Sequence, residues 1–498
     1  MKVGRWRRPR TIAGPFGRSS SVWEAKDTRD LGFLVGAVFW FGWISDRILS
    51  MLYHTHTPSQ VYICLVLAVS FSLCLEAVGQ DADWNQFLGP LRNGTSAETD
   101  ILKDWSEDKL KLNWTLPVGQ GYAVGSVADG NYFHFDAIEK DGESLARLRK
   151  VDLHSGKTAW TINTPLSYKD QYGYDSGPRA SPLIHDGKVY VYGVAGKLRC
   201  LNVGNGETIW EVDTLKKFGV IQNFFGVSGC PLIYENLLLV GVGGSPEESK
   251  NVPPGQLNLV KPNGSAVIAF DRETGKEVWR SGDDLASYTS LRVVQMHGEP
   301  IVLAWMRDHL LAMKPGDGKQ LFKFKWRARK LESVNASTPV VFENKIYLGE
   351  SYQKGGVVIE VSEAWEPTIL WSDAGKRDQS LAPHWNTPVL HEGFLYGCSG
   401  ESTKSAELRC VDFLTGKVQW TKKGLGRSSV TLCDGHLLVM AERGKLLLVE
   451  ATPEQFSLVT QYEGDTEFRY PCWSAPVVSG GKLIIKGKQK VACFELMN

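Results

Sequence analysis

The chain has 498 residues with a formal net charge of +1 and 22% charged residues, so no overall field recruits nucleic acid or an acidic membrane surface. Its 51 glycines and 17 tryptophans, with aromatics at 11%, favour short strands joined by tight turns and packed on aromatic rings. Low-complexity tracts are absent, and a chain of this length can bury a large core or divide into domains.

Residues 1–79 read differently from the rest. Two apolar runs, "LGFLVGAVFWFGWI" (31–44) and "VYICLVLAVSFSLCL" (61–75), each fall short of the ~20 residues that span a bilayer. Ala77-Val78-Gly79 after the second offers the small-x-small pattern of signal-peptidase sites. The pattern predicts a signal peptide over 51–79 and export to the periplasm or medium. An uncleaved anchor, or a hairpin using both runs, is the alternative, and membrane contact is expected only through these segments. Met51 is a second candidate start, although "MLYHTHTPSQ" lacks Lys and Arg. Residues 80–109 form a lead-in. Beyond it the seven cysteines, Cys200, Cys230, Cys398, Cys410, Cys433, Cys472 and Cys493, include no close pair. They predict buried strand residues rather than a disulfide framework or a metal site.

From residue 110 the chain repeats itself at about fifty residues. "DLHSGKTAWT" (152–161), "NVGNGETIWE" (202–211), "DRETGKEVWR" (271–280) and "DFLTGKVQWT" (412–421) are copies of one decapeptide. A second marker precedes each, as in "ASPLIHDGKVYVYG" (180–193) and "STPVVFENKIYLG" (337–349), and weaker copies begin at Ser126, near Leu291 and at Ser428. Eight units result. In each, an aliphatic strand A, a hairpin turn, strands B and C, the Asp-to-Gly turn and a strand D ending in tryptophan follow in order. One four-stranded sheet cannot bury its own two faces, whereas eight arranged radially bury one another. The fold class is therefore all-β, an eight-bladed β-propeller over 110–498. Trp114, Trp160, Trp210, Trp279, Trp371 and Trp420 are expected to wedge between blades, with Phe322 or Phe324 standing in for blade four and Tyr462 for blade seven. The last unit stops at a strand C, "KVACFELMN", so "LKLNWTLPVG" (110–119) is predicted to complete it and close the ring. A Pro- and Gly-rich stretch, 243–264, is predicted to be a loop inserted in blade three.

The repeated A-x-D-x-x-[ST]-G-K-x-x-W, with S-P-x-x-x-x-G-x-V-Y between copies, resembles the pyrroloquinoline-quinone (PQQ) type propeller repeat. The resemblance covers residues 110–498 and is strongest in blades two, three and six. "DWNQFLGPLRNGTS" (83–96) is similar to the W-x-x-F-x-G-P-x-R-x-G opening of secreted bacterial proteins of this type. That family includes quinoprotein alcohol dehydrogenases and silent propellers of the outer-membrane protein assembly type. In the dehydrogenases the resemblance implies a quinone held between a Trp and a disulfide of neighbouring cysteines, beside calcium and an Asp base. This chain has no neighbouring cysteines, and Cys230 stands alone at a strand-A start. Zincin, nucleophile-elbow and Walker motifs are absent as well.

The connections from each strand D to the next strand A share one face and ring the central channel. They carry Tyr122, Tyr174, Arg179, Phe224, Tyr288, His384, Trp385, Arg427, Arg469, Tyr470 and Trp473. Aromatics and arginines dominate binding hot spots. The expectation is a monomeric, exported, non-enzymatic propeller binding a protein, peptide or glycan there, without cofactor or metal. The alternatives are a PQQ- and calcium-dependent oxidoreductase and a membrane-tethered extracytoplasmic sensor or scaffold.

Overall fold

A computed structural model of the chain describes residues 83–106, 109–170, 172–221, 224–253, 256–463, 468 and 470–497. The two apolar runs, the cleavage site and Arg469 lie outside the described residues. Among the described residues no helix is long and apolar enough to cross a membrane.

Eight four-stranded antiparallel sheets follow one another along the chain. Blade one begins with strand A at Ser126–Ala128, and blades two to eight begin at Leu183–His185, Leu232–Tyr234, Arg292–Met296, Val340–Phe342, Val389–His391, Ser429–Cys433 and Val477–Ser479. The eighth sheet is completed from the other end of the chain. Leu112–Pro117 pairs antiparallel with Lys490–Glu495, with Trp114 opposite Cys493 and Pro117 opposite Lys490. Closure leaves no blade with an unpaired strand C. Eight clusters of buried side chains among the described residues each join one blade to the next, including eight to one.

The decapeptide makes those seams. Asp271 Oδ1 accepts from the Thr274 amide (2.8 Å) and hydroxyl (2.6 Å), and Asp412 holds Thr415 in the same way. This turns the chain into a glycine at positive φ, +68° at Gly275 and +70° at Gly416. The preceding blade's indole lies on that glycine: a Cβ on Gly275 would sit 2.6 Å from the Trp210 ring. Each indole N–H then donates to a carbonyl of that turn, one residue after the aspartate position in five seams and two residues after Glu450 in the case of Trp420. Trp114 reaches Leu153 (2.7 Å), Trp160 Val203 (3.1 Å), Trp210 Arg272 (3.1 Å), Trp279 Pro315 (3.2 Å), Trp371 Phe413 (2.8 Å) and Trp420 Thr452 (2.8 Å). The recurring "LRC" also finds its reason here, because Cys200, Cys410 and Cys493 are the strand-C partners of Trp210, Trp420 and Trp114. The seven cysteines beyond the lead-in are free and buried.

Two seams depart from the rule. In blade four the register puts Phe322 at the tryptophan position, opposite Ala312. There the facing turn of blade five carries Trp365 at φ +62°, where five other turns have glycine, and packs it into the same cluster. The indole is supplied from the opposite side. In blade seven the register places Thr460, not Tyr462, at the tryptophan position. Tyr462 lies two residues on, edge-to-face with Phe494 at 5.2 Å. The lead-in fills this seam: Trp105 is buried among blades seven and eight, and its amide donates to Thr460 Oγ1 at 3.3 Å.

The lead-in also closes the channel. Trp84 and Asn85 carbonyls accept from the amides of Val127 and Ile184 in blades one and two. Arg92 donates to the carbonyls of Pro231 and Leu291 in blades three and four (2.8 Å to the latter), and Ser96 bonds Leu432 in blade seven. Burial without a carboxylate lowers the Arg92 guanidinium to about 10. The stretch predicted as a lead-in is therefore a plug fastened to the inner strands. The inserted loop of blade three lies between strands Leu237–Gly241 and Val267–Asp271, with 3-10 turns at Glu247–Asn251 and Leu257–Leu259.

Candidate functional site

Small hydroxyl residues at the strand-A starts stitch neighbouring blades together around the channel mouth. Ser126 Oγ donates to the Pro182 carbonyl, Ser429 Oγ to Trp473 and Ser474 Oγ to Tyr122, while Ser290 Oγ accepts from the Cys230 amide. Cys230 occupies a serine position in this belt: its sulfur accepts from the Ser181 amide at 3.3 Å, and burial raises its thiol pKa. A deprotonated, reactive thiol is disfavoured there.

Above this belt the D-to-A connections leave a blind cavity of about 200 Å³, floored by Phe87 and Leu88 of the plug. Its wall is a collar of aromatic rings in mutual contact. Trp473 lies 5.0 Å from Tyr122, 6.1 Å from Tyr174 and 4.4 Å from Trp385. Phe225 touches Tyr174 at 5.1 Å and Tyr288 at 5.6 Å, and His384 stacks on Trp385 at 4.1 Å. Tyr352 meets His384 edge-on at 5.2 Å and bonds its Nε2 through the hydroxyl at 2.8 Å.

The structure brings Tyr122, Tyr174, Arg179, Tyr288, His384, Trp385 and Trp473 of the sequence-predicted set to this cavity. It separates the others. Phe224 is buried behind the wall, and its neighbour Phe225 takes the lining place. Tyr470 is 46% exposed and leans edge-on against Trp473 from outside, and Arg427 stands behind the two indoles. Besides Phe225, the contributors that escaped sequence reasoning include Phe87, Leu88 and Tyr352. Phe87 and Leu88 arrive from the plug, and Tyr352 comes from the B-to-C turn of blade five rather than from a D-to-A connection. Tyr352 and Gln353 both sit at positive φ, +46° and +64°. Two successive left-handed non-glycine residues store strain of a kind that clusters at functional sites. Leu257 of the inserted loop packs against the buried cluster of Phe224, Tyr288 and Val334.

Both arginines are spent on the protein itself. Arg427 Nε donates to Glu442 Oε1 at 2.8 Å, and its guanidinium lies 4.6 Å from Trp385 and 4.9 Å from Trp473. Burial would raise the Glu442 carboxyl, but bonds from Arg427 and the Trp473 indole outweigh it and hold the pKa below its ordinary value. Arg179 donates to the carbonyls of Gly177 (2.6 Å) and Asp175 (2.9 Å) and lies 3.5 Å from Asp170. It shapes its loop more than it offers donors to a ligand. Burial, with the Arg427 charge nearby, lowers His384 to about 3, so the imidazole is neutral at physiological pH.

A calcium-bound quinone needs carboxylate ligands, a carboxylate base and a planar clamp. The two indoles could supply a face, but among the described residues no Asp or Glu lines the cavity and Cys230 is the lone cysteine there. No group of three His, Cys, Asp or Glu able to hold a metal occurs among the described residues. The residues present do not fit that group.

Eight blades, five of whose seams set an indole on a turn glycine, closed by the first strand and hollow on one face, define an eight-bladed tryptophan-docked β-propeller. Its repeat and fold are similar to those of PQQ-like propellers. The sequence profile described as outer membrane protein assembly factor BamB matches residues 242–455. The dehydrogenase subunit of the quinone alcohol dehydrogenase of Gluconobacter oxydans (strain 621H) is 24% identical over 208 residues, 41% of this chain and 25% of that protein. Quinohemoprotein alcohol dehydrogenase ADH-IIG of Pseudomonas putida is 29% identical over 184 residues, 36% of this chain and 22% of that protein. The matched stretch thus spans a quarter or less of these relatives' length. Among solved structures, BamB from Moraxella catarrhalis superposes with a TM-score of 0.51 at 13% identity, covering 78% of this chain and 98% of that one, which concerns the fold alone.

Proposed function

We propose that the protein is an exported, non-enzymatic binding propeller that seats a partner group in the collared cavity. The observation that carries this reading is a blind, aromatic cavity, lined by no carboxylate among the described residues and built on a closed ring, with Arg427 and Arg179 already paired to carboxylates. Such a site supplies contact area and fixed orientation, while burial leaves its imidazole, His384, a weak base and its thiol, Cys230, protonated, so neither is activated for chemistry. Export is supported by the leader-like segment 51–79 and by similarity to a family described by outer-membrane protein assembly. A second reading, a PQQ-dependent alcohol or sugar oxidoreductase, is favoured by the quinone dehydrogenase relatives.

A thermal-shift screen of the full chain against neutral and charged saccharides, short peptides and PQQ with calcium tests both. The Tyr174→Ala/Trp385→Ala variant serves as reference. Binding at the collar stabilises the parent and not the variant. Dye reduction by the chain loaded with PQQ and calcium, with an alcohol or sugar as reductant, would establish the oxidoreductase and retire the binding reading. Compounds that stabilise parent and variant equally would retire it too.

A further inference from the structure

Blades six and seven part at their outer rim around a groove of about 650 Å³, on the same face as the collar but outside it. Its walls are the B-to-C turns of both blades, the D-to-A connection of blade six and strand D of blade seven, Leu458–Tyr462. Leu425, Leu447, Phe456 and Leu458 make an apolar floor. Lys404, Lys422, Lys423, Arg443 and Lys445 stand around it, and among the described residues no Asp or Glu lines the groove. Two of these cations have a carboxylate near the rim. Lys423 lies 3.6 Å from Glu407, which Arg409 already holds at 2.7 Å, and Lys445 pairs at 2.6 Å with Glu463, itself 70% exposed. Pairs as open as these contribute little. Lys422 rests 4.8 Å from the Phe456 ring, and the exposed Lys404 and Arg443 have no ion-pair partner among the described residues.

The groove between blades one and two is the neutralised counterpart. There Lys197 and Arg199 bond Glu211 at 2.7 and 2.6 Å, and Lys216 lies 3.5 Å from Asp213, which lines that groove itself. In a chain of net charge +1, five cations around one apolar floor are a local concentration that the protein's own carboxylates leave largely unanswered.

We propose that the groove between blades six and seven docks an acidic, extended peptide segment of a partner protein as a fifth strand on blade seven. The edge of the sheet selects a peptide. Leu458–Tyr462 is the outer strand; its inner side pairs with Leu446–Glu450, and its outer side makes no backbone bond among the described residues. A row of open amides and carbonyls matches another main chain, which a lipid headgroup or a sugar acid does not carry. The cations select acidic side chains. Alternate side chains of an added strand point to one face, here into the groove, where Lys404, Lys422 and Lys423 of blade six stand opposite. A glutamate there covers Phe456 and Leu458 with its aliphatic stem and offers its carboxylate to those cations, whereas a bare sulfate or phosphate would leave the floor to water. The groove is separate from the collared cavity. Tyr470 stands between them, 5.8 Å from the Arg443 guanidinium on one side and edge-on to Trp473 on the other, so the proposal stands whether or not the cavity is filled.

Fluorescence polarisation tests this with the full chain and a short labelled peptide alternating glutamate and threonine, the lysine–threonine peptide serving as charge control. The expected result is saturable binding of the acidic peptide alone, at least tenfold weaker in Lys404→Glu/Arg443→Glu. Both positions are exposed, so folding is not at stake. Successive residues of a strand bond to opposite edges, so N-methylating the threonine amides and N-methylating the glutamate amides block different edges. One methylated peptide should lose binding and the other keep it. No saturable binding of the acidic peptide overturns the proposal, as does binding that the charge reversal leaves unchanged, or two methylated peptides that bind alike. Peptide binding lost in Tyr174→Ala/Trp385→Ala but kept in the charge reversal overturns the groove while sparing the reading of the collar. Phosphatidylglycerol vesicles or a heparin oligosaccharide held through Lys404 and Arg443, with the peptide unbound, would overturn the peptide assignment in favour of an anionic lipid or glycan.

Discussion

Glu350 is a buried carboxyl at the end of a blade-five strand, immediately before the strained turn that carries Tyr352. Its Oε2 accepts from the Ala328 amide at 2.8 Å, while Oε1 has no partner among the described residues. Burial outweighs that bond and raises its pKa from 4.5 to about 7. Between those values the folded state holds a proton that the unfolded state has lost, so stability is complete below pH 4.5 and declines as pH rises towards 7. At ~1.4 kcal/mol per unit, the decline amounts to about 3 kcal/mol. His134 runs the other way. Burial lowers it to about 3, so the folded state stays neutral while the unfolded imidazole charges, and stability falls as pH drops from 6.5 towards 3. Glu350→Gln is predicted to remove the alkaline decline alone. In melting curves at pH 5 and pH 8 the His134 contribution is common to parent and variant, so the stability difference between them should shift by roughly 2–3 kcal/mol in favour of Glu350→Gln from pH 5 to pH 8; a difference that does not change with pH would show that Glu350 does not titrate in this range.

At the scale of one element, the turn glycine and the indole of the neighbouring blade are a single device. Gly187 and Gly275 both sit at φ +68°, but a Cβ on Gly187 meets open space and one on Gly275 meets the Trp210 ring. Gly187→Ala should therefore cost only the left-handed penalty of about 1–2 kcal/mol. Gly275→Ala should cost that plus about 1–3 kcal/mol for displacing the ring, and the excess should vanish in a Trp210→Ala background. Chemical denaturation of the four chains measures this, and an excess that survives the loss of the indole would mean the glycine serves its own turn alone. This device was legible in the sequence because it recurs at fixed spacing with residue types whose chemistry is local. What was not legible is non-local. Trp365 stands at a glycine position because the facing strand carries Phe322 in place of tryptophan, and Trp105 reaches a seam more than three hundred residues away. Tyr352 was missed because its turn belongs to a different class of connection from the one that carries the other rings. Phe224 and Phe225 alternate sides, so only the backbone decides which of two adjacent phenylalanines lines the cavity. Arg179 and Arg427 read as ligand contacts until their carboxylate and carbonyl partners were placed beside them.

For the whole molecule, the ends of the ring matter more than any one blade. Each blade buries both faces only because two neighbours exist, so an open ring exposes two apolar faces at once. The stretch before Gly119 does three jobs: Leu112–Pro117 completes blade eight, Trp105 fills the seam that lacks a strand-D tryptophan, and Trp84 through Ser96 fastens the inner strands of six blades to one plug. It also floors the cavity through Phe87 and Leu88. Stability and the candidate site are therefore coupled through the same residues, although the collar itself comes from elsewhere. A chain beginning at Asp83 retains all of this and is predicted to unfold in one cooperative transition. A chain beginning at Gly119 leaves Lys490–Glu495 as an unpaired edge beside exposed Leu483, Ile485 and Phe494, which calorimetry and light scattering should register as a broadened, lower transition with association. A chain from Gly119 that stayed monomeric and melted like the longer one would show that the ring holds without its clasp. The coupling between plug and cavity would then have no mechanical basis.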